Sequence, residues 1–171
     1  IMGSAVMNPW TLVNRPFKEE YPGGRIWNRQ TAQLRYKPTL DRDDLIYPTW
    51  TKMLVHLGKG LDYSVQKHPW CKEHGIINGA DWLKCWVASL FQFPNQPLPY
   101  LFFFGDQNVG KSTMQEALEL LISDGGVVRA NSALTDTFNG ELANAVVCVV
   151  EELDLSNPKN RSVAYNRIKD W

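Results

Sequence analysis

The chain has 171 residues, 44% of them hydrophobic, with 18 basic side chains against 18 acidic ones and a formal net charge of zero. That supplies apolar material for one substantial core, or a compact core with a smaller helical attachment, and the balanced charge argues against a strongly basic nucleic-acid-binding domain. No apolar run approaches the ~18 residues of a membrane span and no signal-peptide pattern opens the chain; with Cys71, Cys85 and Cys148 odd in number and lacking scaffold spacing, a cytoplasmic protein with reduced thiols and no membrane partner is expected.

Ile1-Met2-Gly3-Ser4 reads as an arbitrary start and is set aside from fold reasoning. From Met7 to Tyr47, Pro9, Pro16, Pro22, Gly23, Gly24 and Pro38 punctuate polar sequence without a sustained period, which predicts an irregular arm over 1–46 that links to something upstream. Aromatic and basic residues interleave in it, as in Arg25, Trp27, Arg29, Arg35, Tyr36 and Lys37. Such mixing can stack and neutralise single-stranded nucleic acid, but the favoured expectation is an arm that packs its aromatics on a neighbouring domain.

Residues 47–95 turn helical. Trp50, Met53, Leu54 and Leu57 share a face after Pro48, with Gly58 and Gly60 ending or interrupting the helix. A second helix from Gly79 to Phe91 carries Trp82, Leu83, Trp86, Val87, Leu90 and Phe91 as a broad stripe, the pattern of a core face rather than a cofactor box. His68, Cys71, His74 and Cys85 are zinc-ligand types, yet their spacing matches no familiar site and Cys85 lies within that helix, so zinc is not expected. Pro94, Pro97 and Pro99 then form a stiff connector into the third segment, 96–171.

That segment contains the most informative residues. Gly105-Asp106-Gln107-Asn108-Val109-Gly110-Lys111-Ser112-Thr113 follows the apolar run Tyr100–Phe104 and fits the phosphate-loop pattern G-x-x-x-x-G-K-[ST] between a predicted strand and a predicted helix. Gly105 and Gly110 allow close backbone approach, and the N–H groups of Gln107 to Ser112 are expected to form an anion nest at a helix start. Lys111 is expected to reach the β and γ phosphates, Ser112 to hold Mg²⁺, and Thr113 to add a contact near the α phosphate. A nucleoside triphosphate with Mg²⁺ is the expected ligand.

The helix after the loop shows Met114, Ala117, Leu118, Leu121 and Ile122 at helical spacing and stops at Asp124-Gly125-Gly126. Val127–Ala130 predicts a short strand, and Ala145–Val150 (AVVCVV) a buried parallel strand with Cys148 as a small hydrophobe inside it. The second run ends in Glu151-Glu152. A parallel strand delivers its carboxyl end to the edge where a phosphate loop sits, so Glu151 is expected to hold the metal ion and Glu152 to act as general base on an attacking water. Adjacent strand residues point to opposite faces, so the two cannot act equally unless the strand has already ended. Asp154 is a weaker acid candidate. A last helix begins at Asn157-Pro158, with Ala164, Ile168 and Trp171 on one face.

The phosphate loop, the run FNGELANAVVCVVEELDL from Phe138 to Leu155, and the stretch GADWLKCWVASLFQFPNQPLPYLFFFGDQNVGKSTM resemble the helicase part of virus, phage and plasmid primase-helicases, members of superfamily III within the AAA+ ATPases. The resemblance covers Tyr47 to Trp171. It implies an α/β fold, a P-loop NTPase parallel sheet flanked by helices and preceded by a small all-helical subdomain. It also implies an ATP-hydrolysing DNA helicase motor of a replication system, a homo-hexamer in full length. Gly105, Gly110, Lys111, Ser112 and Thr113 would bind nucleotide, and Glu151 and Glu152 would serve magnesium and water. The upstream part would be a primase or polymerase domain. In that family a polar sensor residue, a nucleic-acid hairpin and an arginine finger follow the acidic strand. The chain is therefore expected to be a C-terminally incomplete fragment that meets single-stranded DNA through parts outside it, with Arg129, Arg161 and Arg167 as salt-bridge partners rather than fingers. A small-molecule or nucleotide kinase, and an ATP-dependent assembly module without turnover, remain as alternatives; the paired glutamates argue against the kinase.

Overall fold

A computed structural model describes residues 9–29, 31–37, 47–129, 140–151 and 157–170. Its contacts divide the chain into two compact units, residues 36–118 and residues 1–35 with 119–171.

The unit 36–118 is helical. Helix α1 (Pro48–Gly58) begins on a proline, whose missing N–H costs nothing in a first turn. It runs into a 3₁₀ turn (Lys59–Leu61), then α2 (Asp62–Lys67) and α3 (Pro69–Glu73), each a turn or two long. Helix α4 (Gly79–Gln92) is capped by Asn78, whose side chain accepts from the Asp81 N–H at 2.9 Å, while Asp81 accepts from the Ile77 N–H at 3.3 Å. Leu83, Val87 and Leu90 of α4 and Leu54 of α1 are buried, as the two predicted stripes require. A smaller cluster joins Val65, Cys71 and Ile76, with Leu61 and Trp82 packed on it.

Two glycines fix how α1 meets α4. A Cβ added to Gly79 would fall 1.9 Å from the Gly58 carbonyl oxygen, and one added to Gly58 would fall 2.5 Å from the Gly79 carbonyl carbon. The backbones touch where one helix ends and the other begins. The Gly79 N–H, one of the donors left over at a helix start, is taken by Asp62 Oδ1 at 2.8 Å.

Helix α5 (Thr113–Leu121) buries Met114 and Leu118 on the predicted face; the unit boundary falls between Leu118 and Glu119.

The second unit holds two separate two-stranded parallel sheets. In the first, β1 (Thr11–Val13) pairs with β2 (Ile26–Asn28), placing Thr11 beside Ile26 and Val13 beside Asn28. The arm expected to be irregular thus contains a sheet. The strands are three residues long and are joined by a turn-rich segment with Phe17, Gly23, Gly24 and Arg25 at positive φ, so no period is long enough to register as a strand. Asn28 holds this segment together. It is 1% exposed, accepts from the Arg15 N–H at 2.7 Å, and donates to the carbonyls of Arg15, Lys18 and Glu19 at 2.9, 3.2 and 3.1 Å. The N–H groups of Ile26 and Asn28 bond to the Gly23 and Glu20 carbonyls at 3.1 and 2.8 Å, so the connecting segment lies along β2.

Residues 31–35 then run beside the end of α5. Ser123 N–H donates to the Gln33 carbonyl, Arg35 N–H to the Leu121 carbonyl, and Leu34 bridges Ile122 antiparallel. Ala32 and Ile122 are buried against Gly126, where an added Cβ would meet Ile122 Cγ2 at 2.3 Å and Ala32 Cβ at 3.0 Å.

The second sheet pairs β3 (Val127–Arg129) with β4 (Val147–Val149), parallel as predicted. Full burial of β4 is not found: Cys148 is exposed. A strand is hidden on both faces only when layers cover both, and alternation leaves Cys148 on an open one. Helix α6 (Pro158–Asp170) starts at the predicted proline and buries Ala164, whereas Ile168 is 40% exposed; Trp171 lies outside the described residues.

The run Tyr100–Phe104, expected as the strand that feeds the phosphate loop, joins no ladder among the described residues. It keeps a period of two: Leu101 and Phe103 are half-buried, while Phe102 and Phe104 stack on each other at 6.3 Å and stand 86% and 84% exposed. Apolar side chains favour extended backbone, but a strand also needs a neighbour to take its hydrogen bonds. The α/β class stands on two small parallel sheets and several helices; the P-loop NTPase sheet remains an expectation.

Candidate functional site

The loop Gly105–Ser112 owes its shape to three residues in the left-handed region, Gly105 (φ 146°), Asn108 (φ 60°) and Gly110 (φ 86°). Glycine adopts such angles without penalty, and asparagine tolerates the common left-handed well better than most side chains. The Gly110 carbonyl accepts from the Thr113 N–H at 3.1 Å and the Ser112 carbonyl from the Glu116 N–H at 3.0 Å, so the loop passes directly into α5.

The Lys111 ammonium folds back into this loop and donates to the carbonyls of Gly105 at 2.9 Å and Asp106 at 2.5 Å. Neutral carbonyls are the weaker acceptors for a full positive charge; phosphate oxygens, themselves charged, are stronger. Asp106, Gln107, Asn108, Val109, Ser112 and Thr113 are exposed, with Gly110 and Lys111 half-buried. This donor set suits a polyphosphate: a mobile cation, backbone turned by small or left-handed residues, and two hydroxyls at a helix start where the peptide dipoles favour anions. Ser112 offers the hard oxygen that a magnesium ion prefers.

One contact was not legible in the sequence. His56, on α1, donates from Nε2 to the Val109 carbonyl at 2.8 Å, pinning the crest of the loop to the helical subdomain. No local pattern signals it, because the partners are 53 residues apart and the acceptor is backbone.

The acidic pair divides. Glu152 lies outside the described residues. Glu151 belongs to the unit 1–35 with 119–171, where Arg129 holds it: Arg129 Nη1 is 3.5 Å from Glu151 Oε1, and its Nε and Nη2 grip Glu119 at 2.8 and 3.2 Å. Arg129 thus acts as the salt-bridge partner it was expected to be. Lys111 belongs to the unit 36–118.

His74 and Cys85 line one shallow cavity, but His68, Cys71, His74 and Cys85 do not form a ligand set. Cys71 is buried in the small cluster, and His74 stacks on Trp70 at 4.3 Å and bonds through Nδ1 to the Trp70 carbonyl at 2.9 Å. Among the described residues no three His, Cys, Asp or Glu side chains are arranged to hold a metal ion.

The aromatics of the arm form a surface group. Tyr21 lies between Trp10, edge-on at 6.1 Å, and Trp27, near-parallel at 6.5 Å, and the Arg29 guanidinium sits 5.2 Å from the Trp27 ring centre. Glu20 ties the group together, accepting from Trp27 Nε1 at 3.2 Å. Its hydrogen bond to the Tyr21 hydroxyl, with burial and its negative charge adding to it, pushes the phenol above its ordinary value of 10.0. The expected packing of these rings on a neighbour is not seen among the described residues, where Trp10 is 57% and Tyr21 58% exposed.

No helix among the described residues is long and apolar enough to cross a membrane. No family model matches the chain, and no solved structure matches it. The chain is similar to a DNA primase-polymerase of Nitratiruptor phage NrS-1, at 27% identity over 163 residues that cover 92% of this chain and 20% of the relative. The chain thus spans about a fifth of the length of the curated relative it matches. This similarity to a phage DNA-replication protein overturns the helicase-motor reading, because the relative is a primase-polymerase; the kinase alternative gains nothing from it either. The physical reason for the error is plain. The phosphate-loop pattern points at most to a class of ligand, and many different reactions are built on the same class of ligand.

Proposed function

We propose that the chain is a nucleoside-triphosphate-binding segment of a phage-type DNA-replication enzyme, with Gly105–Thr113 gripping the triphosphate of ATP together with Mg²⁺. The observation that carries this reading is the Lys111 ammonium seated inside a loop turned by Gly105, Asn108 and Gly110 at the start of α5. Lys111 exchanges two carbonyls for charged phosphate oxygens. The Gln107 to Ser112 backbone supplies N–H donors, the Ser112 hydroxyl ligates the metal, and Thr113 supports the phosphate nearest the sugar. Asp106 and Gln107 form the exposed rim. The similarity to a DNA primase-polymerase supports the replication setting, since strand synthesis runs on nucleoside triphosphates.

Calorimetric titration of ATP with Mg²⁺ tests the proposal. Lys111→Ala removes two charge-assisted contacts worth ~1.5–3 kcal/mol each and is expected to weaken binding by about a hundredfold or more. Ser112→Ala is expected to keep weak nucleotide binding and lose its dependence on Mg²⁺. An unchanged affinity in Lys111→Ala would end the assignment.

A further inference from the structure

Base stacking on protein requires aromatic rings that are held in place yet left open to solvent, because a ring already covered on both sides has no face to offer. Trp10, Tyr21 and Trp27 meet this condition. Their mutual contacts and the Glu20 hydrogen bonds fix them, while Trp10 and Tyr21 remain more than half exposed. Keeping two large aromatics in water costs solvation free energy that burial would recover, on the order of 25 cal/mol per Å² of apolar surface, and gathering them on one small patch compounds it.

Charge indicates which partner takes this patch. Residues 9–29 carry Arg15, Lys18, Arg25 and Arg29 against Glu19 and Glu20, in a chain whose total is 18 basic against 18 acidic. The aromatic segment is therefore net positive, and the rest of the chain correspondingly negative. Arg29 lies directly beside the rings, over Trp27. Aromatics with arginine also mark protein interfaces, so the choice of partner rests on the excess of positive charge beside the rings. A single-stranded nucleic acid matches both: its unpaired bases present flat π faces and its phosphates recur along the strand.

We propose that Trp10, Tyr21, Trp27 and Arg29 form a stacking surface for single-stranded nucleic acid, with the bases on the exposed rings and the phosphates on the flanking arginines. The surface reads no sequence, because every base has a π face. The inference rests on residues 9–29 and not on the phosphate loop, so either assignment can fail alone.

The test is fluorescence anisotropy of the full chain with a labelled oligothymidylate of about 16 nucleotides, the upper site size of a single such module. Trp10→Ala, Tyr21→Ala and Arg29→Gln, checked for folding by circular dichroism, are each expected to weaken binding about tenfold, as loss of one stacked base implies. A duplex of the same length is expected to compete poorly, and Lys111→Ala to bind the oligonucleotide as the parent does. Trp10→Phe keeps a ring and so is expected to bind within about threefold while losing part of the tryptophan quenching caused by the oligonucleotide. Failure to bind the oligonucleotide, equal competition by duplex or by inorganic polyphosphate, or quenching unaltered in Trp10→Phe would each overturn the proposal. The first of these outcomes marks the patch as a protein-docking face instead.

Discussion

Asn28 shows how much one side chain can carry. Its amide gathers three carbonyls and one N–H from the segment between β1 and β2, with almost no access to water. Removing it leaves those groups without their partner in a place that solvent reaches poorly. Asn28→Ala is expected to destabilise the protein by ~3 kcal/mol, read by denaturant melts; a loss below about 1 kcal/mol would mean the segment refolds around other partners. Sequence offers no sign of this role, because the amide's partners are backbone groups common to every residue type. Tyr21 gives a second residue-scale expectation. Its protonated phenol donates to Glu20, so ionising it breaks a hydrogen bond and sets two negative charges side by side. The contribution of that bond is fully present below the ordinary pKa of 10.0 and is lost as pH rises through the higher folded value. Phenolate absorbance, taken as the difference between the parent and Tyr21→Phe, is expected to appear above pH 10, and Glu20→Gln to bring it down toward that value.

The elements divide into those legible in the sequence and those that were not. The stripe from Trp82 to Phe91 gave α4 nearly to the residue, and Pro48, Pro158 and the Met114–Leu118 spacing gave α1, α6 and α5. A helix satisfies its own backbone, so its signal is local. A strand needs a partner elsewhere in the chain, which is why three-residue β1 and β2 went unseen while Tyr100–Phe104, apolar and extended, was expected to pair. The approach of α1 to α4 belongs to neither class. Gly58 and Gly79 read as a helix stop and a helix start, but their shared property, absence of a Cβ where two backbones touch, emerges only in three dimensions. An alanine at 79 gains up to ~1 kcal/mol in helix propensity. Against that, its methyl would meet a backbone oxygen that no rotamer change can move, an overpacking cost at or above the upper end of ~1–3 kcal/mol. Gly79→Ala is thus expected to lower the melting temperature; a rise would show that the two helices can separate freely.

At the level of the whole molecule, the sequence suggests a class of ligand and leaves the reaction unread. Gly105, Gly110, Lys111 and Ser112 have the spacing of the phosphate-loop pattern, and the structure gives that spacing a turned loop with its cation inside. The chemistry done on a gripped polyphosphate depends on groups far off in the chain. Of the two candidates, Glu151 is found with Arg129, and the similarity that covers most of the chain belongs to a primase-polymerase. Net charge is a coarse guide for a related reason. A total of zero hides a positive aromatic segment balanced by acidic sequence elsewhere, so the absence of an overall basic bias says little about nucleic acid when charge is unevenly distributed.

The first sheet has one more property. In a two-stranded ladder each strand has an outer row of donors and acceptors, the usual route by which a foreign strand adds on and association spreads. Along β2 the outward donors are already taken, because Ile26 and Asn28 donate to Gly23 and Glu20 of the segment leading into the strand. The chain's own return path thus acts as a guard rail on the β2 side of this sheet.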